Sequence, residues 1–205
     1  MSDRAITLFS QWADAGRAAP MGHSHAPRAT QALEQLPLRP GQHVTDLGCG
    51  EGWASRWLAE RVGPQGRVVG VDGSEAMLAQ ARNRPMAGLS YQLGSLLELP
   101  FPDASLDHVF SMEALYYVDL DEALAEAARV LRPGGWLVAC TDFYGEHAAS
   151  HAWPEQLGLP MDLRPIVGWR SAFTTAGLGD VRSTLLADPA KASHPGTLAV
   201  FGQRR

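Results

Sequence analysis

Three acids, three glycines and four histidines are the residues of this chain whose types and spacing could do chemistry. The glycines Gly48, Gly50 and Gly52 stand at alternate positions directly after the apolar run from Val44 to Leu47. A strand that breaks into glycines and resumes as a helix is the plan of a site for a nucleotide-type ligand. Glycine admits positive φ and lets a ligand lie against the backbone. The helix that follows, Trp53 to Val62, turns unpaired N–H groups toward that ligand. In the dinucleotide pattern G-x-G-x-x-G a third glycine would fall where this chain has Trp53. Asp46, inside the strand end, suits a cationic or hydrogen-bond-donating group better than a pyrophosphate. Asp72 closes the next apolar run, Val68 to Val71, at about the 20-residue spacing where an acid accepts hydrogen bonds from ribose hydroxyls. The pocket is therefore expected to hold a ribose and a positive charge, with no pyrophosphate.

S-adenosylmethionine fits that description, and at this point the chain resembles a known family. Four stretches carry the likeness: Val44 to Gly52, Val68 to Met77, Leu99-Pro100-Phe101-Pro102-Asp103-Ala104-Ser105-Leu106-Asp107, and Leu131-Arg132-Pro133-Gly134-Gly135. In order and spacing they resemble the class I S-adenosylmethionine-dependent methyltransferases of the type 11 small-molecule branch. The resemblance implies that Asp46, Gly48, Cys49 and Gly50 line the methionine part of the cofactor. It implies that Asp72 binds the ribose hydroxyls and that Gly73 and Met77 flank the adenosine. After the third strand the family places an acid beside the adenine; here Ser95, followed by Leu96, stands at that place. Ser111 and Met112 are expected to border the cofactor. Cys49 reads as a small residue filling the turn, with a nucleophile as the alternative.

The elements that must position these residues alternate strictly. Strands are expected at 43–47, 67–72, 90–93, 107–111 and 136–141, with helices at 53–62, 74–84 and 121–131. Pro133-Gly134-Gly135 reads as a turn. Such alternation implies a parallel sheet with right-handed crossovers. The expected fold is α/β: a Rossmann-like, doubly wound, seven-stranded, mostly parallel sheet with helices on both faces and a C-terminal antiparallel hairpin. One methyltransferase domain, 1–205, divides into an N-terminal helical cover (1–40), a cofactor-binding core (43–141), a substrate loop (142–167) and a C-terminal helix and hairpin (168–205). Within the cover, residues 3–15 read as an amphipathic helix, 16–27 as a loop and 28–36 as a short helix. In the family the last strand inserts between the fifth and sixth.

Methyl transfer asks the protein to position an acceptor, and a base is needed only if the acceptor must lose a proton. Glu113, at the carboxyl edge of the fourth strand, and His25, in the N-terminal segment, are the candidate catalytic residues. Glu113 as a capping acid is the alternative. Arg17, His25, Tyr116, Tyr144 and His147 are the candidate substrate contacts, with Arg17 suited to a carboxylate and one of Tyr116 and Tyr117 expected in the core. His23 and His151 share the two covering loops. The histidines have no supporting Cys or acid spacing, so no metal is expected.

A formal charge of -5 and no Lys/Arg-rich run argue against a nucleic-acid surface. Cys49 and Cys140 show neither metal nor redox spacing, which points to a reduced, cytoplasmic setting. No apolar run reaches the ~20 residues that span a bilayer, so no membrane partner is expected. The expected partner is a small-molecule substrate, and the oligomeric state stays open. Two other readings are a cofactor-binding module without turnover and a nicotinamide-dependent oxidoreductase; Trp53 and Asp46 disfavour the second.

Overall fold

Strands buried on both faces must be nearly continuous apolar runs, and three stretches meet that demand. β1 (His43–Leu47), β2 (Arg67–Asp72) and β4 (Leu106–Met112) are buried over almost their whole length. β3 (Leu89–Leu93) is largely exposed, as an edge strand is. The later strands are β5 (Leu131–Thr141), β6 (Leu178–Leu186) and β7 (Thr197–Arg204). The computed structural model describes residues 3–191 and 193–205. Among them the sheet order is β3-β2-β1-β4-β5-β7-β6. The first five strands pair in parallel; β7 lies antiparallel between β5 and β6. The order reverses between β1 and β4, and the crevice beyond their carboxyl ends is where open α/β sheets bind ligands.

Helices cover both faces because alternate strand residues point to opposite sides. On one side α2 (Ala18–Leu33) and α3 (Trp53–Val62) bring Ala29, Leu33, Ala54 and Leu58 onto Val44, Val68, Phe110 and Val138. On the other, α5 (Leu120–Val130) and α7 (Ile166–Thr175) bring Leu124, Ala127 and Phe173 onto Val71, Val109 and Leu137. Full burial of each leucine stabilises by roughly 2 kcal/mol. Asp119 caps α5, its carboxylate accepting the Glu122 N–H at 3.0 Å. α1 (Asp3–Asp14) docks on α4 (Glu75–Arg82): Ser10 and Ser74 share a hydroxyl hydrogen bond of 2.9 Å, and Gln80 donates to the Ala13 carbonyl.

Three expectations change. The loop expected at 16–27 and the short helix after it are one helix, α2, running through Pro27. Pro20 falls in the first turn, where no N–H is needed. Pro27 removes one backbone bond, and the packing of Ala29, Ala32 and Leu33 on α3 and the sheet outweighs that loss. The turn Pro133-Gly134-Gly135 lies inside β5, which pairs first at Leu131 and again from Trp136, with a break of register between. The loop 142–167 holds a 3-10 turn, Ala148–Ser150, and a short helix, α6 (Trp153–Leu157). The C-terminal hairpin and its inserted last strand are as expected.

Candidate active site

The glycine turn after β1 is held from below by β2. The N–H groups of Gly48 and Cys49 both reach the Val71 carbonyl, at 2.8 and 3.1 Å. Gly48 has φ +69°, and a Cβ there would stand 2.2 Å from the Ala114 Cβ. Gly50, at φ +54°, meets nothing within 4 Å on its open side. Asp72 closes the turn: its Oδ2 accepts the Gly50 N–H at 2.9 Å, and its Oδ1 accepts the Ser74 N–H at 2.8 Å. Each oxygen keeps a lone pair for a further donor. Burial raises the pKa of Asp72 above its ordinary value, against the pull of these N–H groups.

Asp46 is 2 % exposed and accepts the Ser55 hydroxyl at 2.6 Å. Burial, with the Asp72 and Glu51 charges adding, pushes its carboxyl up to about 7 while Ser55 pulls it down. These groups form the floor of a cavity with about 720 Å³ of empty space, part of it open to solvent. The roof comes from the N-terminal helices: Phe9 from α1, and Ala18, Met21, Gly22 and His25 from α2. Gly22 lets α2 sit close, since a Cβ there would lie 2.8 Å from the Trp53 ring. Met77, Met112, Ala114 and Tyr117 complete the wall.

Glu113 follows β4 in the left-handed region, at φ +55°, a rare conformation for a non-glycine residue. Its N–H bonds the Cys140 carbonyl at 3.0 Å. Its carboxyl accepts the Tyr116 hydroxyl at 2.7 Å and the Asp142 backbone N–H. Burial first, then the Asp142 charge, pushes Glu113 up to about 8. Burial likewise pulls His25 down to about 4, leaving a neutral imidazole. A carboxyl titrating near 8 is mostly protonated at neutral pH, and its carboxylate fraction is the form basic enough to take a proton.

Comparison with known proteins decides the family. A family model described as "Methyltransferase domain" matches residues 45–139. A chain described as a methyltransferase, solved in complex with the Haloferax volcanii Trm112 methyltransferase activator, is 35% identical, with 96% of this chain and 97% of that one covered and a TM-score of 0.88. This chain belongs to the S-adenosylmethionine-dependent methyltransferases. Demethylmenaquinone methyltransferase of Symbiobacterium thermophilum is 41% identical over 109 residues, 50% of this chain and 43% of its own length. Nocamycin O-methyltransferase of Saccharothrix syringae is 41% identical over 114 residues, 53% of this chain and 41% of its own. The chain thus spans less than half the length of these curated relatives.

For this methyltransferase the cavity gathers Asp46, Gly48, Cys49, Gly50, Asp72, Met77, Met112, Glu113 and His25. Gly73 flanks Asp72 outside the lining. Ser111 is buried beneath it, its hydroxyl donating to the Leu47 carbonyl at 3.0 Å. Ser95 is exposed and accepts the Leu97 N–H at 3.1 Å. Leu96 lies in the core beside Leu99. Neither borders the cavity: the Ser95 side chain is turned to solvent and that of Leu96 into the core.

Four substrate candidates do not reach the cavity. Arg17 lies on the outer side, its guanidinium 6.0 Å from the Trp12 ring centre, because α2 turns that flank to solvent. Tyr116 is core and grips Glu113, while Tyr117 lines the cavity. Tyr144 is buried, its hydroxyl donating to the Gly196 carbonyl at 2.9 Å. His147 is buried, its Nδ1 2.6 Å from the Asp142 carbonyl oxygen. Of the other histidines, His23 is exposed and His151 is 3.0 Å from the Gly145 carbonyl oxygen. Sequence reasoning missed Phe9, Gly22, Glu51 and Trp53; Gly22, a glycine between Met21 and His23, was the available signal. No group of three or more His, Cys, Asp or Glu that could hold a metal occurs among the described residues. No helix among them is long and apolar enough to cross a membrane.

Proposed function

We propose that this chain moves the methyl group of S-adenosylmethionine to a small, partly apolar acceptor that carries no phosphate or carboxylate at its reacting end. One observation carries the reading: a single cavity joins the acid-and-glycine floor to an apolar roof from α1 and α2, and no Lys or Arg lines it among the described residues. The residues fit the cofactor, since Gly50 leaves open space and Asp72 keeps free lone pairs. Asp46 would take the methionine amino group, Asp72 the ribose, and Met77 the adenosine side. When bound, S-adenosylmethionine supplies an electrophilic methyl on a sulfonium. Glu113 holds or takes the acceptor's proton, His25 accepts a hydrogen bond as neutral imidazole, and the roof excludes water. The division into cover, core, substrate loop and hairpin is part of this reading. So is a cytoplasmic setting, which the two free buried cysteines suit.

The test is calorimetric titration of S-adenosylhomocysteine, followed by methyl-transfer assays on neutral and amine acceptors against carboxylate analogues. No cofactor binding to the wild type would sink the reading. Equal turnover of the carboxylates would remove its acceptor class.

A second reading is favoured by the Haloferax volcanii relative, which was solved with an activator protein. We propose that this chain also pairs with a Trm112-like protein. Co-expression should yield a complex on gel filtration, and two separate peaks would reject it.

A further inference from the structure

Behind the cavity lies a buried charge network that the proposed chemistry does not use directly. Arg28, on α2, is 4 % exposed. Its guanidinium donates three ways: to Asp142 at 2.9 Å, to Asp188 at 2.6 Å and to the Thr197 hydroxyl at 2.6 Å. The Thr197 hydroxyl in turn donates to Asp142. One arginine thus joins the cover helix, the end of β5, the β6–β7 connection and the start of β7. Buried ion pairs give little net stability, because desolvation cancels most of the attraction. Their presence asks for another reason.

Asp142 supplies it. Its carboxylate belongs to Arg28 and Thr197, its carbonyl faces His147, and its N–H grips Glu113. Glu113 is held in a strained conformation, and such strain concentrates at functional sites. On the same helix as Arg28, three residues earlier, His25 lines the cavity.

Resting on the methyl-transfer reading above, we infer that Arg28 and Asp142 are positioning residues: the pair ties the cover helix α2 to the Glu113 carboxyl, so that the roof of the cavity and its proton acceptor are set by one network. The groups that face Glu113 are Tyr116 and Tyr117 from the turn after β4, Cys140 near the end of β5, Asp142 just beyond it, and Arg28 from α2. His147 and His194 face Asp142 rather than Glu113. The Asp142 charge disfavours the Glu113 carboxylate, and Arg28 favours it.

The test is the titration of the Glu113 carboxyl in the full chain, by carbon-13 NMR, with and without S-adenosylhomocysteine. The signal is identified by its absence from Glu113→Gln. Asp142→Asn keeps the shape and the N–H but removes a charge, so the midpoint should fall by on the order of one pH unit. Arg28→Lys keeps the charge but loses the three-way fork, so the midpoint should rise. Midpoints unmoved in both variants would overturn the inference and leave the pair as a staple between elements. If Asp142→Asn does not fold, Arg28→Lys, which preserves the buried charge balance, decides by the same measurement. Failure to bind S-adenosylhomocysteine with both shifts present would sink the methyl-transfer reading alone.

Discussion

The carboxylate of Asp72 accepts the backbone N–H of Gly50 at 2.9 Å, across 22 residues of chain. The acid at the end of β2 therefore shapes the glycine turn at the end of β1. A second N–H, from Ser74, occupies its other oxygen at 2.8 Å. The proposed ribose contact and the shape of the turn are one structure.

Asp72→Ala should accordingly lose more than a contact. S-adenosylhomocysteine affinity should fall at least tenfold, about 1.4 kcal/mol. Two N–H groups left without an acceptor should lower stability by roughly 1–3 kcal/mol. Asp72→Asn keeps an acceptor and should retain more stability than binding. Calorimetry and urea unfolding on both variants check this.

The two turn glycines should respond differently to alanine. Gly48→Ala forces a Cβ to within 2.2 Å of the Ala114 Cβ at φ +69°, and the protein should be severely destabilised. Gly50→Ala meets open space, so only the left-handed backbone costs, roughly 1 kcal/mol. Its methyl intrudes where the cofactor would lie, so binding should fall while the fold survives. Thermal melts with and without S-adenosylhomocysteine separate the two.

Stability should be roughly level between pH 4.5 and 6.5, where two buried histidines and two buried carboxyls contribute opposite slopes, and should fall above pH 6.5. His25 and His108, both pulled down to about 4 by burial, stay neutral when the unfolded chain has bound protons, so they contribute stability that is lost as pH falls from 6.5 toward 4. Asp46 and Glu113, raised to about 7 and about 8, keep their protons when the unfolded chain has lost them. Their stabilisation is full below the unfolded values and is lost as pH rises through 7 and 8. From pH 6.5 to 8 the loss should be about 1–2 kcal/mol, from about 1.4 kcal/mol per group and pH unit. Urea unfolding at both pH values measures it, and a flat profile would contradict the buried state of these acids. Because the ammonium group of S-adenosylhomocysteine, placed at Asp46, favours the Asp46 carboxylate, its affinity should rise over the same range.

Arg17→Ala should change neither stability nor cofactor affinity by more than ~0.5 kcal/mol, because its charge lies outside the cavity near Trp12. A large loss of binding would put the guanidinium inside the site.

The floor of the site was legible because it is local. Val44 to Gly52 and Val68 to Met77 are each one strand, one turn and one helix start, so composition and spacing state what they do. The roof was not legible in the same way. Residues 16–27 carry Gly, Pro and polar side chains that read as a loop, yet burial of Ala29, Ala32 and Leu33 draws them into a helix. Tyr116 and Tyr117 are adjacent and alike, and only the 3-10 turn at Leu115–Tyr117 sends one to the core and the other to the cavity. His147 and Tyr144 carried the right chemistry but spend it on backbone carbonyls.

By itself, then, the amino-acid sequence determined the parallel sheet, the glycine turn, the placing of Asp46 and Asp72 at the ends of adjacent strands, and the position of Glu113 at a strand end. These follow from periodicity and from residues close in the chain. Tertiary structure alone decided that α2 roofs the cavity, that Arg17 leaves it, and that Arg28, Asp142, Asp188 and Thr197 meet in one buried network. Those partners are up to 169 residues apart, and contacts at such range depend on how whole elements pack.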